Sequence, residues 1–203
     1  MADEEIKTKN KKSAEKPGWK KSTVLYMHDL LYMLVTIMVV FLLVFRVIVV
    51  SGSSMYDTLM DGDYLLLISN LFYRQSEPGD IIVVSKQSFD NGTPIIKRVI
   101  ATEGQTVDID FIQGVVYVDG TALQEDYTFT PTNVDEGMDF PLVVEENCVF
   151  ALGDNRNNSH DSRSPDIGQI DRREILGKAI FLFLPGIDEG HTGPDFDRIG
   201  AIK

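Results

Sequence analysis

Pro94-Ile95-Ile96-Lys97-Arg98-Val99-Ile100 is an apolar segment interrupted by two adjacent cations. Its short length and β-branched content predict a strand. Side chains alternate between the faces of a strand, so Lys97 and Arg98 must point opposite ways. If Arg98 faces solvent, Lys97 faces inward. Further segments have the same character: Asp63–Ile68, Asp80–Val84 after a Pro78-Gly79 turn, Gly114–Val118, Thr121–Leu123, Cys148–Leu152 and Glu174–Leu184. Asp119-Gly120 joins two of them and is a strong hairpin signal. Short strands between Gly, Asp and Asn turns predict a mainly β fold, a barrel or sandwich core. Residues 124–147 are acidic and rich in Thr, Pro and Glu. They read as a loop or lobe standing off that core, the inserted lobe taking in about 106–147. Residues 186–203 read as a Gly/Asp-rich tail.

Upstream, Leu30–Phe45 carries no charge, Arg46 interrupts, and Val47–Val50 follows. Spanning the ~30 Å hydrocarbon layer takes about 20 helical residues. Val24–Met27 on one side or Val47–Val50 on the other completes the length, with Arg46 snorkelling to head groups. The run is apolar all round, unlike a core helix with its polar stripe. Val49-x-Ser51 is a passable signal-peptide cleavage pattern, but the basic segment is long and cleavage there lands beside Ser54. Residues 24–50 are therefore expected to be one retained transmembrane anchor. Residues 1–23 form a Lys-rich tail in which Trp19 beside Lys20-Lys21 fits a membrane-interface girdle. Seven Lys against four acids in residues 1–28 predict a cytoplasmic N-terminus, with residues 51–185 on the extracytoplasmic face of the cell membrane.

Residues 47–203 hold 11 basic and 26 acidic side chains, a net of −15. Such a domain does not hold nucleic acid through phosphate contacts. The single cysteine, Cys148, reads as a small core hydrophobe. One Cys and three scattered His assemble no metal set, so no metal or cofactor is expected. Nothing implies an oligomer.

Val50-Ser51-Gly52-Ser53-Ser54-Met55-Tyr56-Asp57-Thr58-Leu59 follows the apolar run and offers three serines. A serine hydroxyl is a poor nucleophile without a base. His28 falls on the cytoplasmic side and His191 in the tail. His160 lies in a dense polar loop, Gly153-Asp-Asn-Arg-Asn-Asn-Ser-His-Asp-Ser-Arg163, and is a candidate. Lys97 is the other. An ordinary Lys is neutral in only about one molecule in 2,500 at pH 7, but burial in an apolar wall disfavours the ammonium. A neutral Lys is then a usable base; a snorkelling Lys at a strand edge is the plainer alternative. The loop reads either as a polar surface loop or as an interlocked one, with Asp161–Arg163 or Asp154–Arg156 as candidate ion pairs.

Taken in order, Ser54-Met55-Tyr56-x-Thr58-Leu59 after an apolar helix, Lys97-Arg98-Val99, and Gly153-Asp-Asn-Arg-Asn-Asn-Ser-x-Asp-Ser-Arg163 resemble the bacterial type I signal peptidases, in a short single-anchor form. The resemblance runs from about residue 30 to Leu184. It implies a mainly β, membrane-anchored Ser-Lys endopeptidase that removes signal peptides from exported preproteins after small residues, in an A-x-A-like pattern. It implies Ser54 as nucleophile, Lys97 as general base and Ser159 as the hydroxyl that hydrogen-bonds the Lys. Asp161 and Arg163 match a supporting ion pair, and Asp154 and Arg156 match structural motif residues. Met55 matches a groove residue, and the Ser54 N–H an oxyanion donor. Three positions depart from the family pattern. Asp57 stands where Pro is usual, Gly52 where some members have a second oxyanion donor, which leaves Ser53 or backbone, and Ala101-Thr-Glu-Gly104-Gln105 where a Gly-x-Pro-Gly-Asp-like turn is common. A Ser-His-Asp site built on His160 is the enzyme alternative. A catalytically weak or inactive tethered assembly factor, for example for pilins, is the non-enzyme one. A self-cleaving repressor is disfavoured by the anchor and the negative charge.

Overall fold

The computed structural model describes residues 19–187 and 193–202. The Lys-rich tail before Trp19, the Trp19-Lys20-Lys21 side chains and His191 lie outside what is described. The chain forms two compact units, residues 1–41 and 42–203.

The first unit contains most of a single helix, α1, Trp19–Val44. Within it Ser22–Val44 is long and apolar enough to cross a membrane. Those 23 residues rise about 35 Å, against the ~30 Å of a hydrocarbon core. The helix stops at Val44, whereas the sequence reading carried the anchor to residue 50. Phe45–Val49 is instead strand β1, antiparallel to β2, Tyr64–Ser69, from Phe45 opposite Ile68 to Val49 opposite Tyr64. The segment Val47-Ile48-Val49 is β-branched throughout, and β2 supplies the partner that makes a strand its better conformation.

The second unit is mainly β. The strands after β2 are β3 Ile81–Val84, β4 Ile95–Thr102, β5 Thr106–Asp110, β6 Val115–Val118, β7 Thr121–Ala122 and β8 Leu142–Val143. They continue with β9 Cys148–Leu152, β10 Ile170–Asp171, β11 Ile175–Leu184 and β12 Gly200–Ala201. The larger sheet runs β1-β2-β11-β3-β4-β9-β10, with β12 added beside β11. The smaller runs β7-β6-β5-β8, so the stretch expected as an inserted lobe carries a four-stranded sheet of its own. Every pairing is antiparallel. Asp119 and Gly120 both take positive φ, 52° and 76°, as the two-residue hairpin between β6 and β7 requires.

The centre of the large sheet is covered on both faces. Along β3, Ile81 and Val83 join Met55, Leu59, Leu65, Leu67 and Ile96, while Ile82 and Val84 join Val99, Val149, Ala151 and Ile170 on the other side. A third cluster packs Val107, Ile109, Val116 and Val118 of the small sheet on Ile100, Phe150 and Leu152. Cys148 is buried at its edge, as read from its apolar neighbours. A strand that is buried on both faces leaves no solvent-facing side for a charge, and this governs the fate of both cations of β4.

The tail was expected to lie loose, but its described end returns to the sheet. Gly200–Ala201 pairs with Phe181-Leu182, and Arg198 forks onto Asp63 at 3.0 and 2.6 Å. Asp63 is fully buried and also accepts the Met60 and Gly186 N–H groups. Its need for a cation draws the chain back.

Candidate active site

β4 sits between β3 and β9, with Lys97 opposite Ile82 and Arg98 opposite Leu152. The pleat sends the two cations to opposite faces, as expected. Both are buried, Lys97 to 3% exposure and Arg98 to 2%, so Lys97 faces inward without Arg98 facing solvent.

On one face Lys97 Nζ donates to Ser54 Oγ at 2.8 Å. Ser54 is held by a compact turn. Met55 and Leu59 are buried in the core, the Leu59 N–H donates to Met55 O at 2.8 Å, and the Tyr56 N–H donates to Ser53 O at 3.1 Å. The turn is entered through Gly52, whose φ of +89° favours glycine and whose N–H donates to Asp61 Oδ1 at 2.8 Å. Gly52 thereby has its donor occupied. Ser53 Oγ accepts Asn158 Nδ2 at 2.9 Å, which leaves its own hydroxyl hydrogen available. Among the described residues nothing accepts from the Ser54 N–H. Asp57 is exposed and the Tyr56–Asp57 peptide is cis.

The turn is bolted to the loop 153–163. The Asn155 N–H donates to Ser54 O at 3.0 Å, and Asn155 Nδ2 donates to Ser53 O at 3.1 Å. The approach is close: a Cβ on Gly153 would stand 2.5 Å from Ser54 O and 2.2 Å from Ser159 Oγ. Among the described residues Ser159 Oγ is buried without a hydrogen-bond partner, so the bond to Lys97 expected of it is not formed.

On the other face Arg98 binds Asp154 through Nε and NH2 at 2.9 and 2.8 Å, and donates to Gly79 O. Its guanidinium carbon stands 4.1 Å from the centre of the Tyr127 ring. Asp154, fully buried, also accepts Thr58 Oγ1 at 2.6 Å. The suggested Asp154–Arg156 pair is therefore replaced. Arg156 turns to Glu125 at 2.8 and 2.6 Å and to Thr132 Oγ1. The Asp161–Arg163 pair forms as read, at 2.8 and 2.9 Å, and Asp161 also accepts the Gly153 N–H. Buried guanidinium groups demand anionic partners, and the acid-rich segment 124–147 supplies Glu125 and Glu136. Neither was singled out from sequence. Three buried arginines with too few local acids were the signal that could have found them.

Burial lowers the Lys97 pKa to about 8. The charges of Asp161 and Glu136 oppose this by favouring the ammonium, while Arg163 assists it. The residue thus exchanges its proton within the physiological range, next to a hydroxyl that has one to give. A cleft at the pair is lined by residues 48–51 and 94–96, with Met55 also in its wall. His160 lies elsewhere: Nδ1 is 3.1 Å from Glu136, Nε2 is 3.7 Å from Asp166, and the ring stacks on Phe89.

Residues 23–184 match the family model described as signal peptidase, peptidase S26. The class is thus a hydrolase acting on peptides. The chain belongs to the signal peptidase S26 family. It is similar to a probable signal peptidase I-1 of Synechocystis sp., 39% identical over 153 residues, which are 71% of this chain and 74% of the relative. It is also similar to signal peptidase I of Bacillus amyloliquefaciens, 33% identical over 156 residues, 73% of this chain and 78% of the relative. A signal peptidase I of Enterococcus faecalis, known from its crystal structure, overlays 52% of this chain and 97% of its own at 30% identity, with a TM-score of 0.42. The chain is thus a signal peptidase hydrolase.

Proposed function

We propose that the chain is a membrane-bound serine endopeptidase in which Ser54 is the nucleophile and Lys97 the general base. The observation that carries the reading is the 2.8 Å contact between Lys97 Nζ and Ser54 Oγ, with the amine buried and its pKa lowered to about 8. Neutral Lys97 takes the Ser54 proton as Oγ attacks the scissile carbonyl. The Ser54 N–H, with the free hydroxyl hydrogen of Ser53, meets the developing oxyanion. The lysinium returns its proton to the leaving amine, and neutral Lys97 then activates the water that hydrolyses the acyl-serine. Gly52 acts through its backbone conformation, not as a donor. Ser159, Asp161, Arg163, Asp154 and Arg156 support the loop that grips Ser53 and Ser54. Met55 lines the groove.

The cleft between residues 48–51 and 94–97 suits an extended peptide, and its aliphatic lining, with Met55, suits small side chains in an A-x-A-like pattern. The helix Ser22–Val44, the one helix among the described residues that is long and apolar enough to cross a membrane, anchors the chain in the lipid bilayer. The basic residues 1–23 lie in the cytoplasm, and residues 51–185 act on the extracytoplasmic face, where exported preproteins emerge. The test is preprotein processing by full-length protein in proteoliposomes. Loss of cleavage in both Ser54→Ala and Lys97→Ala is expected. Full retention in Lys97→Ala ends the Ser-Lys reading.

A further inference from the structure

Glu136 has no part in the scheme above, yet its carboxylate is held between two side chains of the loop beside it, Arg163 and His160. Its side chain is 12% exposed. Oε1 lies 3.1 Å from Arg163 NH2, and Oε2, buried and without a hydrogen bond of its own, lies 3.1 Å from His160 Nδ1. The backbone on either side is tied to the same arginine. Arg163 NH1 donates to Val134 O at 2.9 Å, and the Met138 N–H donates to Arg163 O at 3.0 Å. Five residues of the acidic segment are thus pinned across the loop that carries Ser159 and Asp161. Arg163 already has a bidentate carboxylate in Asp161, so charge balance alone does not call for a second.

We propose that Glu136 is an electrostatic positioning residue for the Ser54–Lys97 pair, holding the proton on Lys97 after the serine has released it, with His160 as the clamp that keeps water from its outer oxygen. The proposal rests on the Ser-Lys reading and assigns part of its energetics to a residue outside the sequence motifs. The charged groups acting on Lys97 are Asp161, Glu136, Arg163 and Asp154, and its hydrogen-bonding neighbour is Ser54. Those acting on Glu136 are Asp161, Arg163 and His160. His160 meets Asp166 on its far side. Within this set Asp161 and Glu136 are the strongest forces favouring the lysinium. Asp161 has a second task, as it accepts the Gly153 N–H and shapes the loop. Glu136 accepts the Asp161 backbone N–H in the same loop but hydrogen-bonds no part of the nucleophile turn itself, so what reaches Lys97 directly is its charge. Burial raises the Glu136 pKa too, which makes the clamp more consequential: a carboxylate kept dry acts on its neighbours through a weaker dielectric.

A field that favours the lysinium has two effects of opposite sense. It raises the pH at which Lys97 becomes an active base, and it makes that base stronger once active. The experiment is the pH profile of kcat/KM for the full-length enzyme in proteoliposomes, cleaving a preprotein, for wild type, Glu136→Gln and His160→Ala. For Glu136→Gln the acid limb is expected to move down by about half a pH unit or more, while the high-pH plateau falls severalfold. For His160→Ala, which wets Glu136 but keeps its charge, the limb moves the same way by less. A structural role lowers the plateau and leaves the limb in place; that result, or an upward shift, overturns the proposal. If Glu136→Gln does not fold, the His160→Ala limb decides alone, unchanged meaning overturned. A wild-type profile without an acid limb, or full activity of Lys97→Ala, overturns the Ser-Lys reading instead. The two failures are therefore distinguishable.

Discussion

Lys97 Nζ donates to Ser54 Oγ at 2.8 Å across 43 residues of sequence, from a strand buried on both faces to a turn gripped by a polar loop. Replacing either residue removes one half of the proposed reacting pair. Ser54→Ala is expected to lower kcat by at least about a thousandfold, as seen when one member of such a unit is lost. Ser53→Ala removes the hydroxyl proposed as an oxyanion donor and is expected to cost about tenfold to a hundredfold in kcat with KM little changed. Steady-state kinetics on a preprotein separates the two, and equal losses would remove the distinction between these serines.

The pH dependence follows from the Lys97 pKa of about 8. Only the neutral amine accepts the serine proton, so kcat/KM is expected to rise with pH and level off above about 8. A profile that stays flat from pH 6 to pH 9 is incompatible with Lys97 as base.

The same burial costs stability. The folded-state pKa is lowered from 10.5 to about 8, so the unfolded chain binds more protons between those values. The penalty is complete below pH 8 and is relieved as pH rises towards 10.5. Lys97→Met is therefore expected to stabilise the protein by about 3 kcal/mol at pH 7, a gain that shrinks across that window. Denaturant melts at pH 7 and pH 10 measure it; a pH-independent difference contradicts it.

Asp154 joins three parts of the chain, accepting from Arg98 on β4 and from Thr58 in the nucleophile turn while itself belonging to the loop. Asp154→Asn takes away the buried carboxylate charge that Arg98 binds through Nε and NH2, at a cost of about 3–5 kcal/mol. Thr58→Val removes one hydrogen bond to the same carboxylate and is expected to cost about 1–3 kcal/mol. Thermal melts rank them, and the reverse order would mean that Asp154 is not the junction described.

Asp63 makes a comparable prediction at the other end of the domain. Arg198→Met strips the guanidinium from a fully buried carboxylate and is expected to cost about 3 kcal/mol. If residues 193–202 were only an appendage, the melting temperature would not move.

Much of this was open to reading in the chain. The strands Cys148–Leu152 and Ile175–Leu184 announce themselves by apolar runs between turns, and Asp119-Gly120 by its turn chemistry. Phe45–Val49 did not, because a β-branched run after an apolar helix looks like more helix until β2 is known to lie beside it. The serine and lysine were visible as residue types in telling contexts, whereas their contact depends on two strands meeting. Charge pairing was least legible. Arg156 has Asp154 two residues away yet chooses Glu125, since a partner is fixed by the direction a side chain leaves the backbone and not by sequence distance. The direction in which Arg98 pointed was read correctly; its surroundings were not, because what covers that face comes from distant segments.

The adjacency of Lys97 and Arg98 makes strand alignment a chemical matter. Sliding β4 by a single residue against β3 and β9 would exchange the two cations, presenting a guanidinium to Ser54 and an amine to Asp154. Such a molecule would keep its apolar alternation badly and its charge count perfectly, and it would be inert, since a guanidinium does not give up its proton in water. Asp154, which takes the planar fork of Arg98 through both oxygens, discriminates between the two alignments. The ion pair thus favours the alignment in which the Lys97 amine, and not a guanidinium, meets Ser54.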